Sequence, residues 1–202
     1  MWGPDGARIG RYEKEHRVPF GEYIPGRALL QRVTDLTALV PKDAIVGQGP
    51  AVLRSPTAPL GVAISYEVFF ADRVRDTVDA GGQVILVPTN AASYTTDEVP
   101  AIEVAAARMR AREFGRAVLQ AAPTGYSAII EPDGTVTMQS GLGEAALLRH
   151  SVPLRSGLTP YARAGDLPVI TLAIAALLVP VLLRTERRRR TSRAPHAPET
   201  LP

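Results

Sequence analysis

Two short stretches of this 202-residue chain hold side chains able to do chemistry. In "GVAISYEVFF", residues 61–70, an apolar run stops at Ser65-Tyr66-Glu67, a hydroxyl, a phenol and a carboxylate side by side. In "YEKEHRVPFGEYIP", residues 12–25, Lys14 and Glu22 stand in a segment restrained by Pro19 and Pro25. A serine where a strand runs into a helix lies beside the unpaired N–H groups of the first turn, which can hold an oxyanion. The same place suits an ordinary N-cap. Of 23 basic residues only Lys14 and Lys42 are lysines. A compact, titratable ammonium can sit beside a reacting oxygen where a guanidinium cannot, although a surface lysine is the plainer reading. Glu22 reads equally as a capping or salt-bridging carboxylate. Ser65 lacks the flanking glycines of a Gly-x-Ser-x-Gly elbow, and a Ser-His-acid triad would have to recruit His16 or His150. Neither histidine lies in a segment that obviously reaches it. With no cysteine, the chain has no thiol nucleophile, disulfide or thiolate metal site.

The elements that must position these residues follow from hydrophobic patterning. Residues 7–12 suit a strand, and 27–37 a short helix. "AVLRS" and "LGVAISY" read as two strands joined by a proline-containing turn at 56–59. Val68, Phe69, Val74 and Val78 recur at helical spacing, and Gly81-Gly82 ends that helix. "QVILVPTN" is a continuous apolar strand of the kind buried on both faces. A helix over about 99–114 follows, then strands in "RAVLQAAP" and "YSAIIEPDGTVTMQ", with Pro132-Asp133-Gly134 as a hairpin turn. Strands alternating with helices and ending in hairpins predict an α/β domain over residues 1–163.

Beyond it, residues 167–183, "LPVITLAIAALLVPVLL", contain no charge and show no polar face. About 17 apolar residues is the short limit for crossing a bilayer, so residues 164–184 are predicted to form a transmembrane helix. Four consecutive arginines, Arg187 to Arg190, follow it. The positive-inside tendency places the basic tail, residues 185–202, in the cytoplasm and the domain on the outer face. The tail is polar and proline-rich and is expected to be disordered. The arginine block is better explained as a topology anchor than as a nucleic-acid contact, and no nucleic-acid partner is expected.

"YEKEHRVPFGEYIPGRALL", "GVAISYEVFF", "VPTNAASYT", "RMRAREFGRAVLQAAPTGYSAIIEPDG" and "GLTPYARAGDLP" occur in that order. Together they resemble the C-terminal part of the bacterial apolipoprotein N-acyltransferases, a membrane-anchored branch of the nitrilase, or carbon–nitrogen hydrolase, superfamily. The resemblance implies an α-β-β-α sandwich on the outer face of the plasma membrane, followed by one transmembrane helix. It implies transfer of an acyl chain from a phospholipid to a nucleophile, then to the N-terminal amine of a diacylglyceryl-cysteine lipoprotein. No cofactor or metal is implied. By motif position Lys14 resembles the lysine that stabilises the tetrahedral intermediate, and Glu22 the accessory glutamate of its Pro-Phe-Gly-Glu loop. Ser65 occupies the place of the family's cysteine nucleophile. Glu67 beside it is read as catalytic, and Tyr66 and Asn90 as substrate-binding.

Two departures qualify the resemblance. A serine stays an alcohol and depends on a positioned base, where a cysteine is partly thiolate near neutral pH. The superfamily's general-base glutamate belongs to a strand-helix junction upstream of these motifs. The expected chain is therefore the C-terminal half of such an enzyme, an incomplete sandwich lacking that base. The alternative is a catalytically impaired remnant that binds lipid, lipoprotein or an intact paralogue. A soluble amidase is disfavoured by the apolar run.

Overall fold

The computed structural model describes residues 1–49, 51–94 and 96–192, with side chains as far as residue 180. Met1–Ala162 form one compact unit, and a second begins at Arg163. Six strands build one sheet in chain order: β1 (Val52–Arg54), β2 (Pro59–Val62), β3 (Val84–Pro88), β4 (Val118–Ala121), β5 (Ala128–Ile130) and β6 (Val136–Gln139). The central strands β2, β3 and β4 run parallel, while β1, β5 and β6 pair antiparallel at the flanks. The helices are α1 (Arg27–Leu30), α2 (Ala71–Asp79), α3 (Glu98–Phe114), α4 (Pro160–Ala164) and α5 (Leu167–Ser192).

The parallel centre follows from its crossovers. Helix α2 connects β2 to β3, and α3 connects β3 to β4, because parallel neighbours need a long return connection. Side chains alternate across a strand, so Ile85, Val87, Val118 and Ile130 point to one face. There they share a core with Val74 and Val78 of α2 and with Ala107, Ala111 and Phe114 of α3. Gly61 permits the close approach of α2 to β2, since a Cβ there would lie 2.8 Å from the Thr77 side chain. On the opposite face Leu86, Leu119 and Ile129 line an apolar recess with Leu148. The described residues thus form one sheet with helices on one face, the mixed α/β class expected.

Three local expectations differ. Residues 7–12 form no strand, because their pairing stops at a single bridge, Trp2 to Arg8. The helix expected over 27–37 splits. Helix α1 covers only four residues, and the Thr34 side chain accepts from Leu36 N at 3.2 Å to start a separate 3₁₀ turn, Asp35–Leu39. A 3₁₀ turn, Ser65–Phe69, also precedes α2, so the helix anticipated after Glu67 begins at Ala71.

In the second unit α5 is continuous through Ser192, so residues 185–192, expected as disordered tail, are helical. Leu167, Val169, Leu172 and Leu177 of α5 are each about 70 % exposed. Among the described residues no helix is long and apolar enough to cross a membrane. The predicted span continues past residue 180, beyond the described side chains, and residues 193–202 lie outside the described residues.

Candidate active site

Adjacent parallel strands end at the same edge of a sheet, and a hydroxyl side chain follows two such ends here. Ser65 follows the C-terminal end of β2, and Thr89 follows that of β3. Ser65 has φ 49°, the left-handed region that a non-glycine residue rarely enters. Such a conformation costs on the order of 1–3 kcal/mol and persists only where its surroundings over-determine it. Here they do. Ile64 N, just before the serine, donates to Glu67 Oε2 at 2.7 Å, which closes the turn under Ser65.

Glu67 itself is 0 % exposed and accepts from four groups. Oε1 takes Glu15 N at 2.6 Å and His16 N at 3.1 Å, while Oε2 takes Tyr12 Oη at 2.5 Å as well as Ile64 N. The Arg73 guanidinium donates to Tyr12 Oη at 3.1 Å and lies 3.9 Å from Glu67 Oε1. Burial, reinforced by Glu67, pushes the Tyr12 phenol above its usual range, so it remains a donor at neutral pH. One carboxylate therefore ties the 12–16 segment to the turn that carries Ser65. Lys14 and Ser65 each lie next to a residue whose amide binds it. The expectation that Glu67 is catalytic meets a carboxylate whose two oxygens are both engaged by these donors, the arrangement of a group that holds the site together.

Lys14 Nζ donates to Glu22 Oε1 at 2.7 Å, and the pair is mostly shielded, at 15 % and 33 % side-chain exposure. Glu22 Oε2 accepts from Val18 N at 2.8 Å, so the carboxylate is fixed by its own loop while it orients the ammonium. Behind Lys14, Gly47 N donates to the Lys14 carbonyl at 2.8 Å. A Cβ on Gly47 would collide with the Glu13 carbonyl, so only glycine allows this strand-like contact.

Glu103 lies outside the sequence motifs. It projects from α3, is 3 % exposed, and its Oε1 accepts from Ser65 Oγ and from Thr89 Oγ1, each at 2.9 Å. Its Oε2 is buried with no hydrogen-bond partner among the described residues. A signal was present. The buried stripe of α3 runs through Pro100, Val104, Ala107, Ala111 and Phe114, and Glu103 falls on it. A carboxylate on a helix's buried face asks for a partner.

The two residues expected to bind substrate are placed differently. Tyr66 packs edge-on against Phe69 and Phe70, with ring centroids 5.9 and 5.0 Å away. It also borders a recess shared with His16, Arg17 and Tyr23. Asn90 follows Thr89, and its Oδ1 accepts from Ala92 N and Thr124 Oγ1, each at 3.0 Å, which braces the loop. No cluster of three or more metal-ligating side chains occurs among the described residues.

A serine hydrogen-bonded to a buried glutamate, on a turn tied through Glu67 to the segment that carries an ion-paired lysine, can run acyl transfer through a covalent ester. Residues 2–157 match the carbon–nitrogen hydrolase family model. The chain belongs to the carbon–nitrogen hydrolase family. Several curated relatives within this family are named apolipoprotein N-acyltransferase. The Shewanella oneidensis protein is 30 % identical over 182 residues, 88 % of this chain and 35 % of the relative. The Synechocystis protein is 35 % identical over 175 residues, 86 % of this chain and 33 % of the relative. The chain thus spans about a third of the length of the curated relatives it matches. Solved structures agree on the fold. A Saccharomyces cerevisiae member of branch 10 of the nitrilase superfamily aligns with TM-score 0.51 at 19 % identity, covering 69 % of this chain and 47 % of its own. A variant of the amidase from Nesterenkonia aligns with TM-score 0.50 at 24 % identity, covering 70 % and 49 %. The carbon–nitrogen hydrolase fold accounts for the mixed sheet.

Proposed function

We propose that this chain carries the acyl-transfer centre of a lipoprotein N-acyltransferase. Ser65 takes an acyl chain from a phospholipid and passes it to the N-terminal amine of a diacylated lipoprotein. In this reading Ser65 Oγ attacks the ester carbonyl, and the Lys14 ammonium, aimed by Glu22, stabilises the oxyanion. Glu67 is a positioning residue that fixes the Lys14 segment against the Ser65 turn. Tyr66 and Asn90 shape the approach of substrate.

The observation that favours a lipid substrate over a small amide is an apolar recess of about 260 Å³ opening on the Glu22 loop, lined by Phe20, Ile24, Leu30, Leu36 and Leu39. Around it Leu29 and Val33 are about 70 % exposed, a surface suited to hydrocarbon rather than water. The names of the relatives support the same substrate class. A binding-only remnant was suggested by a serine without a base, and the 2.9 Å contact from Ser65 Oγ to Glu103 weakens that reading.

The experiment is palmitoyl transfer to a diacylated lipopeptide, followed by mass spectrometry, with the protein in phospholipid vesicles. The expected product is the N-acylated peptide, and Lys14→Arg should lower the rate by about 10²–10³-fold because a broad guanidinium cannot occupy the ammonium's place. A folded, inserted protein that yields no product contradicts the proposal.

The location belongs to the same reading. The apolar run of α5 crosses the plasma membrane, with the domain outside and the arginine block in the cytoplasm, supported by the charge asymmetry at its ends. Protease added to intact spheroplasts should digest the domain and spare a C-terminal tag. The opposite pattern would reverse the topology.

A further inference from the structure

We propose that Glu103 is the general base of Ser65, the two forming a serine–glutamate dyad that nothing in the sequence motifs assigns. The inference rests on Ser65 being the nucleophile, but not on the identity of the acyl donor or acceptor. Three observations carry it. Glu103 Oε1 is 2.9 Å from Ser65 Oγ, within the reach a proton acceptor needs. Oε2 is buried with no hydrogen-bond partner among the described residues, an expensive arrangement for a residue whose only task is to fill the core. The carboxylate stands on α3, a 17-residue helix anchored by Phe114, while Ser65 is held in a strained left-handed turn. Both partners are therefore fixed before substrate arrives.

The balanced step is as follows. Ser65 Oγ forms a bond to the acyl carbonyl carbon as its proton passes to Glu103 Oε1. The tetrahedral intermediate collapses, the carbon–oxygen bond to the leaving alcohol breaks, and Glu103 returns the proton to that alcohol. In the second half the acceptor amine attacks the acyl-serine and gives up a proton to Glu103. The ester bond to Ser65 then breaks, and Oγ recovers its hydrogen. No redox partner or further co-reactant is needed. Thr89 Oγ1 donates to the same Oε1 at 2.9 Å and is a positioning residue, since it holds the carboxylate without touching the reacting serine.

The test uses a long-chain alkyl fluorophosphonate, which needs only an activated serine and releases fluoride as the Oγ–phosphorus bond forms. Labelling of the intact chain is followed by mass spectrometry as a function of pH. The expected result is phosphonylation of Ser65. Glu103→Gln should slow it by about 10²–10⁴-fold and abolish the acid limb of the pH–rate profile, while Glu103→Asp restores part of the rate. A thiol supplies its own anion near neutral pH, so in a Ser65→Cys background, read with iodoacetamide, the cost of Glu103→Gln should shrink to below tenfold. A role confined to holding the fold would cost the same in both backgrounds, and that result overturns the dyad. So does unchanged labelling of Glu103→Gln, or no labelling of Ser65 in the unsubstituted protein. Glu103-dependent labelling without transfer to a lipopeptide would leave the dyad standing and remove the lipoprotein reading.

Discussion

Ser65→Ala should abolish formation of an acyl-enzyme, and with it all transfer above background. The hydroxyl stands at the end of β2 in a strained turn and within hydrogen-bond reach of a buried carboxylate. Ser65→Cys should keep the covalent step and change its chemistry. The serine adduct is an oxyester, stable to neutral hydroxylamine, and the cysteine adduct is a thioester, which hydroxylamine cleaves. Acyl capture can also quicken in the cysteine variant, because a thiol is partly ionised near neutral pH. Transfer measured with and without hydroxylamine quench checks both outcomes. Full activity in Ser65→Ala would exclude Ser65 as the nucleophile.

The second large effect concerns stability. Glu67→Ala should destabilise the compact unit by about 3–5 kcal/mol, the range for breaking a buried charge network. It strips the acceptor from Tyr12 Oη and from the amides of Glu15, His16 and Ile64, and leaves the Arg73 guanidinium beside an empty site. Urea denaturation should show a lower midpoint with an unchanged slope. Glu22→Gln is the informative comparison. Its carboxylate is a third exposed and answers to fewer groups, so its loss should fall mainly on activity and cost under about 1 kcal/mol of stability. Equal destabilisation by the two substitutions would contradict the division of labour between them.

These two glutamates also show what could be read from the chain. The uninterrupted apolar run at β3 and the helical period of α3 decide their own conformation, because local patterning and burial point the same way. Residues 7–12 carry a strand-like pattern, but a strand exists only through its neighbours, and here pairing ends after one bridge. Thr34 breaks a helix by offering its side chain to Leu36 N, a choice between caps that propensity alone leaves open. In the site, Lys14 and Glu22 stand eight residues apart in one motif, and their ion pair is nearly local. The use of Glu67 depends on donors up to 55 residues away, and that of Glu103 on a serine 38 residues away. Only the fold could bring those together. A carboxylate on the buried stripe of α3 was the one trace Glu103 left in the sequence.

Acylation of Ser65 can be observed directly. The most direct measurement is peptide mapping by mass spectrometry after the protein is exposed to phospholipid vesicles carrying an isotopically labelled palmitoyl chain, quenched before an acceptor peptide is added. One labelled palmitoyl adduct is expected on the peptide containing Ser65, persisting through neutral hydroxylamine and disappearing when acceptor peptide is supplied. An adduct on any other residue, or transfer to the acceptor with no adduct on Ser65, would contradict it.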